Sequence, residues 1–167
     1  MPEKESIFVE MKKWIGMLIF CSLAGLGKSQ VLQVIDMDSY QRRVVVSKDS
    51  LYIVNFWATW CGPCVKELPY FLELKDKYIH EKVVFLFVSL NSLKEKDKVE
   101  QFVENKHLPL PSYLLHAGNP AVWIDLVEKE WSGSIPCTLF YQGGKKVFFK
   151  EGELGLTELE DKLKLFL

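Results

Sequence analysis

Leu51-Tyr52-Ile53-Val54-Asn55-Phe56-Trp57-Ala58-Thr59-Trp60-Cys61-Gly62-Pro63-Cys64 is the stretch that decides the reading of this chain. Leu51 to Trp57 is an almost continuous apolar run, the pattern of a strand buried on both faces. Residues 62–79 follow, with Leu68, Phe71, Leu72 and Ile79 at helical spacing. Pro69 lies inside that helix and is expected to kink it. Cys61 and Cys64 therefore stand where a buried strand hands over to a helix. A sulfur at that point faces the unpaired N–H groups and the positive end of the helix dipole, which stabilise a thiolate. The thiolate is the nucleophile of thiol–disulfide exchange. Two intervening residues place the second sulfur about one helical turn on, near enough to close a small disulfide. Pro63 suits the first turn, where its missing N–H would be unpaired anyway. Cys61 is expected to be the exposed attacker and Cys64 the more buried resolving thiol.

The bland reading of the motif is half of a zinc site, or two core cysteines. Structural zinc takes four ligands. There is no second C-x-x-C, and His80, His107 and His116 show no ligand spacing. No metal is expected, and the histidines read as surface residues.

Outward from the motif, strand-like and helix-like segments alternate. Val31 to Ile35 reads as a short strand. Asp38-Ser39 could cap a short helix to about Val46, although three consecutive valines also suit a strand. Val83 to Leu90 is a second fully apolar strand. Val99, Phe102 and Val103 recur at helical spacing, and Asn119 to Val127 reads as a short helix. Thr138 to Tyr141 and Lys145 to Phe149 flank Gln142-Gly143-Gly144 as a hairpin. No helix follows that Gly pair, so it is a turn and not a phosphate loop. Thr157-Glu158-Leu159-Glu160 has a capping-box pattern, opening a helix with Leu159, Leu163, Phe166 and Leu167 on its apolar face. The order predicts an α/β chain with one mixed sheet sandwiched between helices.

With 167 residues the chain suits one domain. Apolar residues at 49% and charged residues at 26% exclude wholesale disorder. A net charge of −1 leaves no basic footprint for nucleic acid. Four cysteines are too few for a disulfide scaffold. Residues 1–27 read as a signal peptide or N-terminal anchor ahead of a domain at 28–167. Lys12 and Lys13 precede an uncharged run of 14 residues, Trp14 to Gly27. That is short of the roughly 20 that span a membrane, and it fits a signal's apolar region of about 7–15. Ser22-Leu23-Ala24 offers a cleavage site, with Gly25-Leu26-Gly27 as a second. Residues 1–10 are polar and acidic, so Met11 reads as the true start. A buried N-terminal helix is the alternative. Phe20 disfavours a lipoprotein signal on Cys21.

Asn55 to Cys64, with Glu67, Pro69 and Ser134-Ile135-Pro136, resembles the thioredoxin superfamily. Within it the chain is similar to the exported TlpA/ResA-like thiol–disulfide oxidoreductases, over about residues 31–167. The resemblance implies a thioredoxin fold and a Cys61-Cys64 redox disulfide. It implies that Pro136 is a cis-proline facing the motif. Ile135 would offer its backbone to an extended substrate by strand addition, with Trp60, Gly62 and Pro63 bordering the same site. Cytosolic thioredoxins carry a buried Asp six residues before the first Cys; here that position is Asn55. Glu67, at i+3 from Cys64, matches an acidic residue of the subfamily and is the candidate base for Cys64. A solvated helix residue is its alternative reading. Cys137 stands where Thr is usual and reads as a small buried hydrophobe, with a third redox thiol as the other option.

The resemblance thus implies a monomeric extracytoplasmic oxidoreductase of the bacterial periplasm or cell envelope that reduces protein disulfides. No cofactor is expected. Electrons would come from a membrane-embedded thiol donor, and substrates would be apocytochrome c or other exported thiol proteins. A disulfide oxidase or isomerase of the same fold competes with this reading. So does a non-catalytic thioredoxin-fold binding module. A peroxidase lacks its lone peroxidatic Cys in a Pro- and Thr-rich loop.

Overall fold

The computed structural model describes residues 32–45, 49–108 and 112–167. The expected signal or anchor, Val31 and Val46 lie outside the described residues. Six strands form one sheet: β1 (Leu32–Ile35), β2 (Leu51–Trp57), β3 (Val83–Ser89), β4 (Ser112–Leu115), β5 (Cys137–Gln142) and β6 (Lys145–Glu151). Five helices flank it among the described residues: α1 (Met37–Val45), α2 (Gly62–Lys77), α3 (Lys96–Asn105), α4 (Pro120–Val127) and α5 (Leu156–Lys164). The strand order is β1-β4-β3-β2-β5-β6. β1, β4, β3 and β2 run parallel; β5 and β6 are antiparallel to their neighbours. This is the α/β thioredoxin arrangement, a mixed sheet between helical layers.

Strand parity sorts side chains to the two faces. From β2, Leu51, Ile53 and Trp57 join Leu68, Phe71 and Leu74 of α2, Val99 and Val103 of α3, and Leu159 and Leu163 of α5. Val54 and Phe56 point the other way, onto Tyr40 and Val44 of α1 and Trp123 and Val127 of α4. Both faces are covered, so β2 and β3 carry no polar alternation, as parallel strands buried on both sides require. Asn55 shares the parity of Ile53 and Trp57. It therefore points a polar amide into the α2 face, and that placement builds the site.

Several elements differ from the sequence reading. β4 carries no alternating pattern and follows residues 109–111, so nothing local marks it. Its four residues are all buried because it lies between β1 and β3. Val44 and Val45 belong to α1, whose first turn is capped by Asp36, its Oδ1 accepting the Ser39 N–H at 2.8 Å. α2 ends at Lys77, and Ile79 beyond it is exposed. α5 begins at Leu156 with Gly155 as N-cap and no side-chain cap, so the Thr157–Glu160 capping box does not form. Leu159 and Leu163 are buried there, whereas Leu167 is exposed. The turn between β5 and β6 has Gly143 at φ 59° and Gly144 at φ 74°, the left-handed pair of a tight hairpin.

Candidate active site

Trp57 ends β2, and two turn residues carry the chain to Trp60 and Cys61. Cys61 is the N-cap of α2, in extended conformation, and its Sγ accepts the Cys64 N–H at 3.2 Å. A sulfur takes the place that a Ser or Asp oxygen usually fills at a helix start. Gly62 and Pro63 form the first turn, and Pro63 needs no N–H partner there. Cys61 and Cys64 are joined by a disulfide. The attacker is less open than expected: Cys61 is 6% exposed and Cys64 0%, while the ring of Trp60 takes the exposure at 61%.

Across the gap lies the loop before β5. The Ile135–Pro136 bond is cis, and the Ile135 carbonyl oxygen sits 3.6 Å from Cys61 Sγ. In the dithiol form the Cys61 S–H has that carbonyl as an acceptor, with the Cys64 N–H as a donor on its other side. The loop is tied from behind. Trp131 Nε1 donates to the Ser134 carbonyl at 2.7 Å, the Ser132 N–H donates to Glu151 at 2.9 Å, and the Ser132 hydroxyl bonds the same carboxylate. Those bonds hold Glu151 below the usual carboxylate range. On the opposite wall Asn91 fixes the turn before Trp60. Its Oδ1 accepts the Thr59 N–H at 3.0 Å, and its Nδ2 donates to Thr59 Oγ1 at 2.9 Å. Apart from the Trp131–Ser134 bond, which spans three residues, these ties join partners 19 to 32 residues apart and are not readable from spacing. The one signal is a polar Asn just past an apolar parallel strand, where such sheets place their sites.

Glu67 is not a solvated helix residue. It is 0% exposed, on the α2 face that also buries Cys64. Its Oε1 accepts Asn55 Nδ2 at 2.8 Å and its Oε2 accepts the Leu154 N–H at 2.8 Å. Asn55 Nδ2 also donates to Thr138 Oγ1 at 3.1 Å, across the β2–β5 register. Burial outweighs these two hydrogen bonds and pushes the carboxyl up from 4.5 to about 7. Asn55 Oδ1 is buried and has no partner among the described residues. Cys137, beside Pro136, is wholly buried with a free thiol. Burial raises that thiol far above its ordinary range, so it is inert as a nucleophile near neutrality. Among the described residues no cluster of His, Cys, Asp and Glu could hold a metal ion.

The sequence model of the Redoxin family matches residues 30–122, the span from β1 through the Cys61–Cys64 motif into α4. The chain belongs to the redoxin family. Within the thioredoxin superfamily this redoxin is of the TlpA/ResA-like type. It is 32% identical over 135 residues to the thiol-disulfide oxidoreductase ResA of Oceanobacillus iheyensis, covering 80% of this chain and 65% of that protein. The match thus spans just under two thirds of that relative's length. To ResA of Bacillus cereus it is 30% identical over 132 residues, covering 78% of this chain and 72% of that protein. The crystal structure of StoA from Bacillus subtilis superposes with a TM-score of 0.55 at 27% identity, over 70% of this redoxin and 84% of StoA.

Proposed function

We propose that this redoxin is a thiol–disulfide oxidoreductase that reduces protein disulfides through Cys61 and Cys64. One observation carries the reading. Cys61 Sγ caps α2, takes the Cys64 N–H at 3.2 Å and lies 3.6 Å from the Ile135 carbonyl, at a solvent-facing edge marked by Trp60. In the dithiol form the helix terminus favours the Cys61 thiolate. It attacks one sulfur of a substrate disulfide. The substrate S–S bond breaks, the leaving thiolate takes a proton, and a mixed disulfide forms. Ile135 has its backbone placed to pair with an extended substrate, with Trp60, Gly62, Pro63 and Pro136 around it. Cys64 then gives its proton to Glu67 and attacks Cys61 Sγ. The second substrate thiol leaves, and two electrons have passed from the dithiol to the substrate.

The thiol-disulfide oxidoreductase names of its relatives support this activity, and the Lys12-Lys13 pair ahead of the uncharged run Trp14 to Gly27 supports work outside the cytoplasm of a bacterium. Residues 1–27 would export or anchor the chain. Among the described residues no helix is long and apolar enough to cross a membrane. A membrane-embedded thiol protein would return the electrons, exported thiol proteins such as apocytochrome c would be substrates, and the protein would work as a monomer. Insulin reduction tests the activity. The wild type should precipitate insulin B chain with dithiothreitol as electron source, Cys61→Ser should be inactive, and Cys64→Ser should accumulate mixed disulfides. Equal rates for wild type and Cys61→Ser would defeat the reading.

A further inference from the structure

The two hydrogen bonds on the buried Glu67 carboxyl come from different kinds of donor. Oε2 takes a backbone group, the Leu154 N–H. Oε1 takes a side chain, Asn55 Nδ2 at 2.8 Å. Asn55 is 1% exposed, on β2 opposite Thr138 of β5.

The amide has one sensible way to face. Its nitrogen meets two acceptors, the Glu67 carboxylate and Thr138 Oγ1 at 3.1 Å. Its oxygen is buried and has no partner among the described residues, and an orphaned buried acceptor is costly. Turning the amide over would set that oxygen against the carboxylate and orphan two N–H groups instead. The ionised carboxyl therefore fixes the amide, and the amide in return favours the ionised carboxyl. Thr138, itself buried two residues beyond Pro136, takes the second N–H and leaves the first for Oε1.

The titratable and charged groups nearby do not replace this contact. Cys64 lies on the same buried side of α2, and Cys137 precedes Thr138 on β5. Glu153, in the loop before α5, pushes the Glu67 carboxyl up by repulsion, and Lys66 pairs with Glu153 at 2.6 Å. Burial favours the neutral acid, and what opposes burial is the Leu154 N–H and the Asn55 amide.

We propose that Asn55 is a positioning residue for resolution of the mixed disulfide: held by Thr138, its amide keeps the Glu67 carboxylate oriented as acceptor of the Cys64 proton. The proposal rests on the thiol–disulfide reading above. Asn55 acts through Glu67 and not on a reacting sulfur.

Two readouts test it. The first is the titration of Glu67 in the oxidised protein, where the disulfide keeps Cys61 and Cys64 from titrating. Carbon NMR of carboxyl-labelled glutamate follows it, and the signal lost in Glu67→Gln assigns it. The wild type should titrate at about 7. Asn55→Leu removes the donor at similar size and should raise the midpoint by about 1–2 pH units. Asn55→Asp keeps the shape, puts an acceptor where the donor was, and decides the matter if the Leu variant does not fold. Its two carboxyls share one proton, so their upper midpoint should rise at least as far. Thr138→Val should raise the midpoint by less than about one pH unit.

The second readout is stopped-flow reduction of bis(2-hydroxyethyl) disulfide by the pre-reduced protein. Cys61 forms the mixed disulfide with 2-mercaptoethanol, and Cys64 resolves it. At pH 7 Asn55→Leu should slow resolution by about 5- to 50-fold, as the ionised fraction of Glu67 falls, with formation unchanged. In a Glu67→Gln background the same substitution should slow resolution by less than about twofold. A midpoint within about 0.3 pH units of wild type in both Asn55 variants overturns the proposal. So does equal slowing with and without Glu67, the mark of a merely structural residue. Either result leaves the thiol–disulfide reading intact. If the reduced wild type leaves bis(2-hydroxyethyl) disulfide unreduced, that reading fails and the role of Asn55 fails with it.

Discussion

Glu67 shows how far a residue's chemistry depends on where its chain neighbours send it. An exposed glutamate at that helix position would be ionised at neutral pH and would do little. Buried against Asn55 and the Leu154 N–H, it titrates at about 7. A group near ambient pH both accepts and returns a proton readily. Glu67→Gln should therefore slow resolution of the mixed disulfide by about 10²-fold at pH 8, with formation of the mixed disulfide nearly unchanged. Stopped-flow traces of the two phases would separate them, and an unaltered resolution phase would remove Glu67 from the mechanism. The variant should fold, because the unpartnered Asn55 Oδ1 can turn toward the new amide.

The same shift has a consequence for stability. The folded carboxyl holds its proton more tightly than the unfolded one, whose ordinary value is 4.5. Its contribution is therefore full below pH 4.5 and is lost as pH rises through about 7. The loss from this one group is up to about 3 kcal/mol. Urea unfolding of the oxidised protein at pH 5 and pH 8 should show that decline in the wild type and a smaller one in Glu67→Gln. A decline of equal size in both would contradict the assignment.

At the scale of elements, α5 teaches a limit of local pattern. Thr157 and Glu160 have capping-box spacing, yet the helix starts two residues earlier, with Gly155 and not Thr157 as its N-cap. The reason is tertiary. Glu160 accepts from Tyr78 at 2.7 Å and pairs with Lys77 at 2.8 Å and Lys164 at 3.2 Å, and these hold its carboxyl down to about 2. A glutamate so engaged at the end of α2 is not free to reach back to a cap. Gly155, in extended conformation with open space where a Cβ would go, is left as a bare N-cap. Gly155→Ser should stabilise the protein by about 0.5–1 kcal/mol, by capping α5 and restricting the unfolded chain. Thermal melts would register this as a rise in Tm, and a fall would mean that the start of α5 is misplaced. β4 makes the same point in a sheet. Four buried residues between two parallel neighbours carry no signature of their own, because a strand buried on both faces has no alternation to display.

For the whole molecule, the proposal of export concerns residues 1–27, whose composition speaks for a signal or anchor. Protein recovered from the cell envelope should lack about the first 24–29 residues or sediment with membranes. N-terminal sequencing and fractionation would decide between these, and an uncleaved chain in the cytosol would refute both.

The sequence by itself determined the sheet's two central strands, helix α2, the Cys61–Cys64 pair at their junction and the proline before β5. These signals are local. An apolar run, a helical period and a C-x-x-C are each complete within about twenty residues, and their order leaves few topologies. Tertiary structure alone decided what surrounds the pair. It placed Asn55, Leu154 and Thr138 around Glu67, Asn91 behind Trp60, and Glu151 behind the Ile135 loop. It also buried Cys61 more deeply than its role suggested and opened a cavity beside it. Such contacts join residues 12 to 87 positions apart. Their partners meet only because strand parity and helix packing aim them at one point, and no pattern within a single element records that aim.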